Sequence, residues 1–380
     1  MLDVDSSVRA RYSRGARERE ADLCCPVDYD PRFLAVIPPE IVERDYGCGD
    51  PSRHLLPGDT VLDLGSGGGK ICYIASQVVG ASGRVIGVDV NPEMLALARS
   101  HQDAIAERIG WSNVEFRRGR IQDLRLDLDA VDGFLARSPV SSAADLERLD
   151  SFTARQRAET PLVADASVDV VVSNCVLNLV RDDDKRMLVG EIFRVLRDGG
   201  RAVISDIVCD EPVPRTFKDD PELWSGCLSG AFLETEFLDA FIDAGFYGVE
   251  ILERGDAPWR TVGGIEFRSV TLRAWKGKEG ACWDRGHAVI YRGPWSEVRD
   301  DDGHVFRRGE ASAVCEKSFR ILTSAPYAED TIGLVPNTEV SGAVPFDCSR
   351  DRVRTARELK GAVGKPAQAA PQCGESGGCC

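Results

Sequence analysis

The chain of 380 residues holds only four histidines. A histidine-rich zinc site is therefore a weak prospect, and no histidine-centred catalytic pair stands out. No apolar run approaches the ~18–20 residues needed to span a bilayer. Residues Met1 to Arg19 are polar and carry no apolar core, so no secretory signal peptide is expected. Basic residues are in deficit: 47 Lys and Arg stand against 62 Asp and Glu, a formal net charge of −15. Phosphate binding needs clustered Lys and Arg, so no nucleic acid is expected as a partner, and the acidity is read as simple solubility. No membrane partner is expected either, and the expected location is cytoplasmic, where thiols stay reduced. No internal repeat is present. The remaining composition, 43% hydrophobic and 29% charged, is ordinary for a globular protein. The length suits one large domain and a smaller one.

From Thr60 the pattern alternates. Thr60–Leu64, Arg84–Asp89, Asn113–Arg117, Val168–Ser173 and Arg201–Val208 read as strands. Ile71–Val79, Pro92–Ile109, Asp183–Leu196 and Glu234–Ala244 read as helices, with Pro92 suited to a first turn and Gly199-Gly200 and Gly245 as stops. Strands alternating with helices of this length predict an α/β fold with a doubly wound, mainly parallel sheet. Residues 1–57 read as an N-terminal arm with one short helix near Pro38 to Arg44, and 58–277 as the main domain. Residues 125–164 break the rhythm; they read as a polar insertion on the sheet rim, with a weak helical pattern around Ala143 to Leu149. Residues 278–350 read as a small strand-rich domain, with strands at Ala288–Tyr291, Ser296–Val298 and His304–Phe306 and a hairpin signal at Asp302-Gly303. Asp300-Asp301-Asp302 is read as a solvated hairpin tip. Residues 351–380 are expected to be a disordered tail ending in Cys379-Cys380.

One stretch points to a nucleotide-type ligand. Asp63-Leu64-Gly65-Ser66-Gly67-Gly68-Gly69 ends a strand and opens a helix, a place where backbone can approach a ligand closely. Asp89 ends the next strand about 20 residues on, the distance at which an acid can bond a ribose hydroxyl. NAD is one candidate, but its fingerprint is G-x-G-x-x-G, whereas Gly65, Gly67 and Gly69 make G-x-G-x-G behind Asp63. This pattern resembles class I S-adenosylmethionine methyltransferases, in which the loop lies against the methionine portion. The resemblance implies Asp63, Gly65, Ser66, Gly67, Gly69, Asp89 and Val90 as cofactor-binding residues. It adds Ile121 and Gln122, from the block Gly119-Arg120-Ile121-Gln122-Asp123-Leu124. Asn174 is expected either to touch the cofactor or to cap the next helix.

Cysteine is plentiful: thirteen residues, an odd number, so no complete internal disulfide framework is possible. Four blocks occur in order: Tyr46-Gly47-Cys48-Gly49; the glycine loop through Tyr73; Ser173-Asn174-Cys175-Val176-Leu177-Asn178-Leu179; and Leu223-Trp224-Ser225-Gly226-Cys227-Leu228-Ser229-Gly230-Ala231. They look like arsenite S-adenosylmethionine methyltransferases, and the resemblance covers nearly the whole chain apart from 125–164. It implies a seven-stranded-type Rossmann-like domain, S-adenosylmethionine as co-substrate, no metal cofactor, and arsenite or its thiol conjugates as substrate. Cys175 and Cys227 would hold As(III), with Cys48 as a third ligand or redox partner. Soft thiolates suit such an ion. An arsenic lone pair needs no general base, in keeping with the missing histidine pair. The family's redox step further implies a disulfide between Cys48 and Cys24 or Cys25, Cys25 slightly favoured, reset by thioredoxin or glutathione. Binding is expected to tighten from pH 6 to 8 as thiolate becomes available.

The chain also departs from the family. Ser225 and Gly226 stand where Trp-Gly-Glu-Cys is common, Gln122 stands where an acid is common, and the Cys24/Cys25-to-Cys48 spacing is short. Trp224 either walls the arsenic pocket or packs. Cys72, Cys209, Cys282, Cys315 and Cys348 are expected to be packing residues. Cys373, Cys379 and Cys380 either scavenge metalloids or form a dispensable tail. Two other readings stay open: a methyltransferase acting on another small molecule, and a non-catalytic metalloid-binding thiol protein.

Overall fold

The alternation expected from Thr60 onward builds one twisted sheet. The computed structural model describes residues 4–20, 27–44, 46–337 and 344–360, so Cys24, Cys25, Cys373, Cys379 and Cys380 lie outside the described residues. The chain divides into two compact units, Met1–Gly277 and Lys278–Cys380.

The first unit runs α1 (Val4–Gly15), α2 (Pro31–Leu34), α3 (Pro39–Glu43), β1 (Thr60–Leu64), α4 (Lys70–Val79), β2 (Arg84–Asp89), α5 (Pro92–Ser100), α6 (Gln102–Ile109), β3 (Val114–Arg118), α7 (Leu128–Arg137), α8 (Ala143–Glu159), β4 (Val168–Asn174), α9 (Lys185–Val195), β5 (Leu196–Cys209), α10 (Arg215–Lys218), α11 (Pro221–Ser225), β6 (Phe232–Leu233), α12 (Glu234–Asp243), β7 (Tyr247–Arg254), β8 (Arg260–Val262) and β9 (Ile265–Trp275). The strand order is β3-β2-β1-β4-β5-β9-β7, with β6 beside β5 and β8 beside β9. Strands β1 to β5 pair in parallel. β9 runs antiparallel to β5, β7 and β8. The central β4 is buried along its whole length, which is why its sequence is a continuous Val run rather than an alternation. Successive residues of β1 face opposite cores: Leu62 and Leu64 join Phe237, Phe241 and Phe246, while Val61 joins Ile71, Ile74 and Leu95. The strand order reverses between β1 and β4, so a crevice opens at their carboxyl ends, where ligands bind in open α/β sheets.

Several expectations are corrected. The N-terminal arm carries a helix, α1, besides its short turns. The helix expected over Pro92–Ile109 breaks at His101 into α5 and α6, because the His101 N–H bonds Ala98 instead of continuing the ladder. Residues 125–164 are more helical than the weak pattern around Ala143 to Leu149 indicates: they form α7 and α8, joined by stacking of Phe134 on Phe152 with ring centroids 4.5 Å apart. The antiparallel strands β7 to β9 are not among the expected elements.

The second unit contains β10 (Trp283–Asp284), β11 (Ala288–Tyr291), β12 (Glu297–Arg299), β13 (Val305–Arg307), β14 (Ala311–Ala313), α13 (Glu316–Leu322), β15 (Thr331–Leu334), β16 (Val344–Pro345) and α14 (Ala356–Lys360). A three-stranded sheet, β14-β11-β15, sits over Val289, Tyr291, Phe306, Val314 and Leu322. β12 and β13 form the hairpin around Asp302-Gly303, with Gly303 at φ +87. The first residues of the expected tail are ordered: Val353 bridges to Ser312, and Arg354 is buried with its N–H bonded to Ala311 at 2.8 Å. No described helix is long and apolar enough to cross a membrane.

Candidate active site

At the crevice between β1 and β4 a cavity of about 400 Å³ opens. Its floor is the glycine loop. Gly65 and Gly67 take positive φ of +68 and +51, backbone that side chains disfavour. A Cβ on Gly65 would lie 2.4 Å from Val176 Cγ1, so the first glycine lets the loop pass under the residues after β4. Asp89 clamps the loop: its carboxylate accepts the Gly67 N–H at 2.9 Å and the Asn91 N–H at 2.8 Å. Asp63 is buried, and the Cys72 thiol donates to it at 3.2 Å. Cys72, expected only to pack, therefore also orients the acid that precedes the loop. Ser66 Oγ is buried and has no hydrogen-bond partner. An orphaned hydroxyl beside a glycine cradle is what a bound polar ligand would satisfy.

Asp63, Gly65, Ser66, Gly67, Asp89, Val90, Ile121, Gln122 and Asn174 all line this cavity. Gly69 does not: it caps α4 at φ +88 beneath Phe116 and Tyr73. Asn174 caps no helix either. Its Oδ1 accepts the N–H groups of Cys48 at 2.9 Å and Gly49 at 3.1 Å, while its Nδ2 donates to Gly49 O at 2.7 Å. It thus fastens the Cys48 loop to the end of β4. No residue of 125–164 lines the cavity; α8 is tied to the Gln122 block through Arg157 on Asp123.

The thiols gather at one end. Cys48, Cys175 and Cys227 are all buried, and none of the eight described cysteines is in a disulfide. Cys175 lines the cavity. The sulfurs of Cys48 and Cys175 and a carboxylate oxygen of Asp206 lie within 4.8 Å of one another. Cys227 Sγ adjoins them, donating to Cys175 O at 3.3 Å. Cys175 and Cys227 have φ of +63 and +62. A left-handed backbone at a non-glycine residue is uncommon and strained, and such strain collects where geometry serves a site. Trp224 packs, with its indole donating to Leu179 O at 3.4 Å.

Electrostatics keep these thiols protonated. The Cys175 contact and then burial hold Cys227 well above the ordinary thiol range. For Cys175 the Cys227 contact pulls downward, but the Cys48 contact, burial and the neighbouring Cys48 and Asp206 charges outweigh it. Burial pushes Asp206 up to about 6, against the backbone N–H groups of Ile207, Leu177 and Asn178. Protonated thiols condense with As–OH groups by releasing water, which leaves the proton balance unchanged.

Sequence reasoning missed three residues here. Asp206 sits near the carboxyl end of β5. Tyr12, on α1, lines the cavity and meets Cys227 Sγ at 3.8 Å. Arg11 is buried and donates to Ser225 Oγ and Glu222 O, each at 3.1 Å. Ser225, the departure noted above, is thus the acceptor that receives Arg11.

A family profile for a methyltransferase domain matches residues 55–151 and 150–245, and a domain of unknown function matches 278–363. An arsenite methyltransferase from Aquipseudomonas alcaligenes is 34% identical over 344 residues, covering 86% of this chain and 89% of that one. This chain belongs to the arsenite methyltransferase family. The human arsenite methyltransferase is 30% identical over 303 residues, covering 77% of this chain and 71% of that one. The crystal structure of an arsenic (III) S-adenosylmethionine methyltransferase from Chlamydomonas reinhardtii matches with a TM-score of 0.55 at 29% identity, over 85% of this chain and all of that one. The fold is that of a Rossmann-like S-adenosylmethionine-dependent methyltransferase, and the dinucleotide reading of the glycine loop is set aside. Family membership makes this chain an enzyme with S-adenosylmethionine as its co-substrate.

Proposed function

We infer that this family member transfers methyl groups from S-adenosylmethionine to trivalent arsenic held by Cys175 and Cys227, with Cys48 as third ligand. The observation that carries this is the pair of buried cysteines with left-handed backbone, one of them facing the glycine-loop cavity. Bound S-adenosylmethionine supplies an electrophilic methyl on a sulfonium. Asp63, Ser66, Asp89 and Gln122 bind and orient it, and Tyr12 and Val176 help to exclude water. The thiols exchange As–OH for As–S bonds and release water. The arsenic lone pair then takes the methyl carbon as the sulfonium C–S bond breaks. Fixing both partners in line is worth roughly 7–11 kcal/mol of barrier, and the lone pair carries no proton, so no general base is needed.

Methyl transfer raises arsenic formally from As(III) to As(V). Two electrons from a thiol pair return it to As(III) and leave a disulfide, for which Cys48 with Cys24 or Cys25 is the proposed pair. The described flanks support this: Glu20 bonds Tyr46, two residues before Cys48, and Val27 and Asp28 border the pocket at Cys48. A cytoplasmic dithiol reductant such as thioredoxin, or glutathione, would reopen it. The role is arsenic detoxification.

The test is arsenic speciation after incubation with arsenite, labelled S-adenosylmethionine and a thiol reductant. Wild type yields methylated arsenicals; Cys175→Ser and Cys227→Ser fall to background while still binding S-adenosylmethionine in a calorimeter. A Cys175→Ser enzyme working at the wild-type rate would overturn the assignment.

A further inference from the structure

Three cysteines of the second unit converge, although each alone reads as packing. The sulfurs of Cys282, Cys315 and Cys348 lie within 4.8 Å of one another. They arrive from three elements. Cys282 precedes β10, and its carbonyl accepts the Phe346 N–H at 2.8 Å. Pairing of β10 with β16 (Trp283 with Pro345, Asp284 with Val344) brings the chain around Cys348 alongside. Cys348 is held from the other side by His304, whose Nε2 lies 3.2 Å from its carbonyl. Cys315 is the fully buried cap of α13, where its sulfur accepts the Ser318 N–H at 3.3 Å and meets the Ser318 hydroxyl at 3.2 Å. Cys282 and Cys348 are half-buried, and a cavity of about 70 Å³ bordered by Cys315 and Cys348 reaches the cluster.

We propose that Cys282, Cys315 and Cys348 form a second trivalent-arsenic site, contained in the C-terminal unit and separate from the methyl-transfer thiols. A soft ion bonded to sulfur at about 2.3 Å sets its ligands roughly 3.5–4 Å apart, so the observed cluster closes on one with small side-chain movement. The ligand count suits trivalent arsenic. A structural zinc site takes four ligands, and among the described residues this cluster offers three. Pyramidal As(III) is complete with three and keeps its lone pair. In balance, arsenous acid and three thiols give three As–S bonds and three waters, with no change of oxidation state. The choice of arsenic over other thiophilic ions rests on the arsenite reading of the first unit.

The test uses the full chain with Cys24, Cys25, Cys48, Cys175, Cys227, Cys373, Cys379 and Cys380 replaced by serine, in a phosphine reductant. Native mass spectrometry after addition of arsenite should show one arsenic bound with loss of three protons. Adding Cys348→Ser or, separately, Cys282→Ser should abolish that adduct; both side chains are partly exposed, and circular dichroism checks that the fold persists. Absence of an adduct in the eight-serine chain, an adduct that survives both substitutions, or one that has lost only two protons would each overturn the proposal. So would stoichiometric Zn(II) uptake that arsenite fails to displace. Since the readout is binding, failure of arsenite methylation by the wild-type enzyme leaves it standing, and the reverse also holds.

Discussion

Cys175 and Cys227 place their thiols by accepting backbone that their side chains resist. At φ of +63 and +62, a residue with a Cβ carries roughly 1–2 kcal/mol of strain that glycine escapes. Ordinarily alanine is more stable than glycine, by roughly 0.5–1 kcal/mol within helices and strands. Here the order should invert: Cys175→Gly should exceed Cys175→Ala in unfolding free energy by about 1 kcal/mol, and Cys227 should behave alike. Urea unfolding of the four variants measures this, and a more stable alanine at both positions would show that the strain is absent in solution. The thiols' membership of the site was legible from sequence because they stand in blocks with a family resemblance. Their strain was not, since cysteine carries no left-handed signature as glycine does. Asp206 was hidden for a related reason: an acid inside the apolar run of β5 looks like a solvent-facing position until its neighbours are known.

Among the elements, α1 matters most to the site and was least legible. Its sequence, VDSSVRARYSRG, is mostly polar, and its buried residues are Val4, Arg11 and Gly15, so it offers no apolar stripe for periodicity to detect. A helix this short is marginal alone in water; it persists by docking. Arg11 supplies the dock through Ser225 and Glu222 of α11, and Tyr12 then reaches Cys227. Each hydrogen bond from a charged donor contributes on the order of 1.5–3 kcal/mol. Arg11→Ala should therefore loosen α1 and raise KM for S-adenosylmethionine and arsenite together, whereas Arg14→Ala, exposed on α1 and outside the cavity lining, should change neither. Steady-state kinetics with both substrates varied decide it, and equal KM values in Arg11→Ala and wild type would remove α1 from the site. The helix α7 escaped sequence reading, and α8 showed only as a weak pattern around Ala143 to Leu149, for the same physical reason: α7 buries no residue and α8 only Gln156. By contrast β1, β2, β4 and α4, whose residues fill the two cores, fell within a residue or so of expectation.

For the molecule as a whole, the sheet and its crevice were legible because burial on both faces leaves long apolar runs. The cluster in the second unit was not legible, because its three cysteines meet only through the β10–β16 pairing, a contact between distant segments. The same burial that organises the first unit sets its response to alkali. Tyr12 is raised by burial and then by the charges of Cys227 and Cys175; Cys175 and Cys227 are raised as described; burial takes Cys209 up to about 11. Each raised acid keeps its proton in the folded state at a pH where the unfolded chain has begun to lose it, near 8.5 for thiols and about 10 for tyrosine. Unfolding then releases protons, so stability falls as pH rises through that window. The net charge of −15 at neutrality grows more negative over the same interval and works in the same direction. The melting temperature, measured in a phosphine reductant, should hold roughly level from pH 7 to 8 and fall progressively above about 8.5. The double variant Cys175→Ala/Cys227→Ala removes two of the raised groups and lowers Tyr12 by removing their charges, so its curve should be flatter above that point even if its melting temperature at pH 7 is lower. Parallel wild-type and variant curves from pH 7 to 10 would mean that these thiols ionise in the folded protein as they do in the unfolded chain.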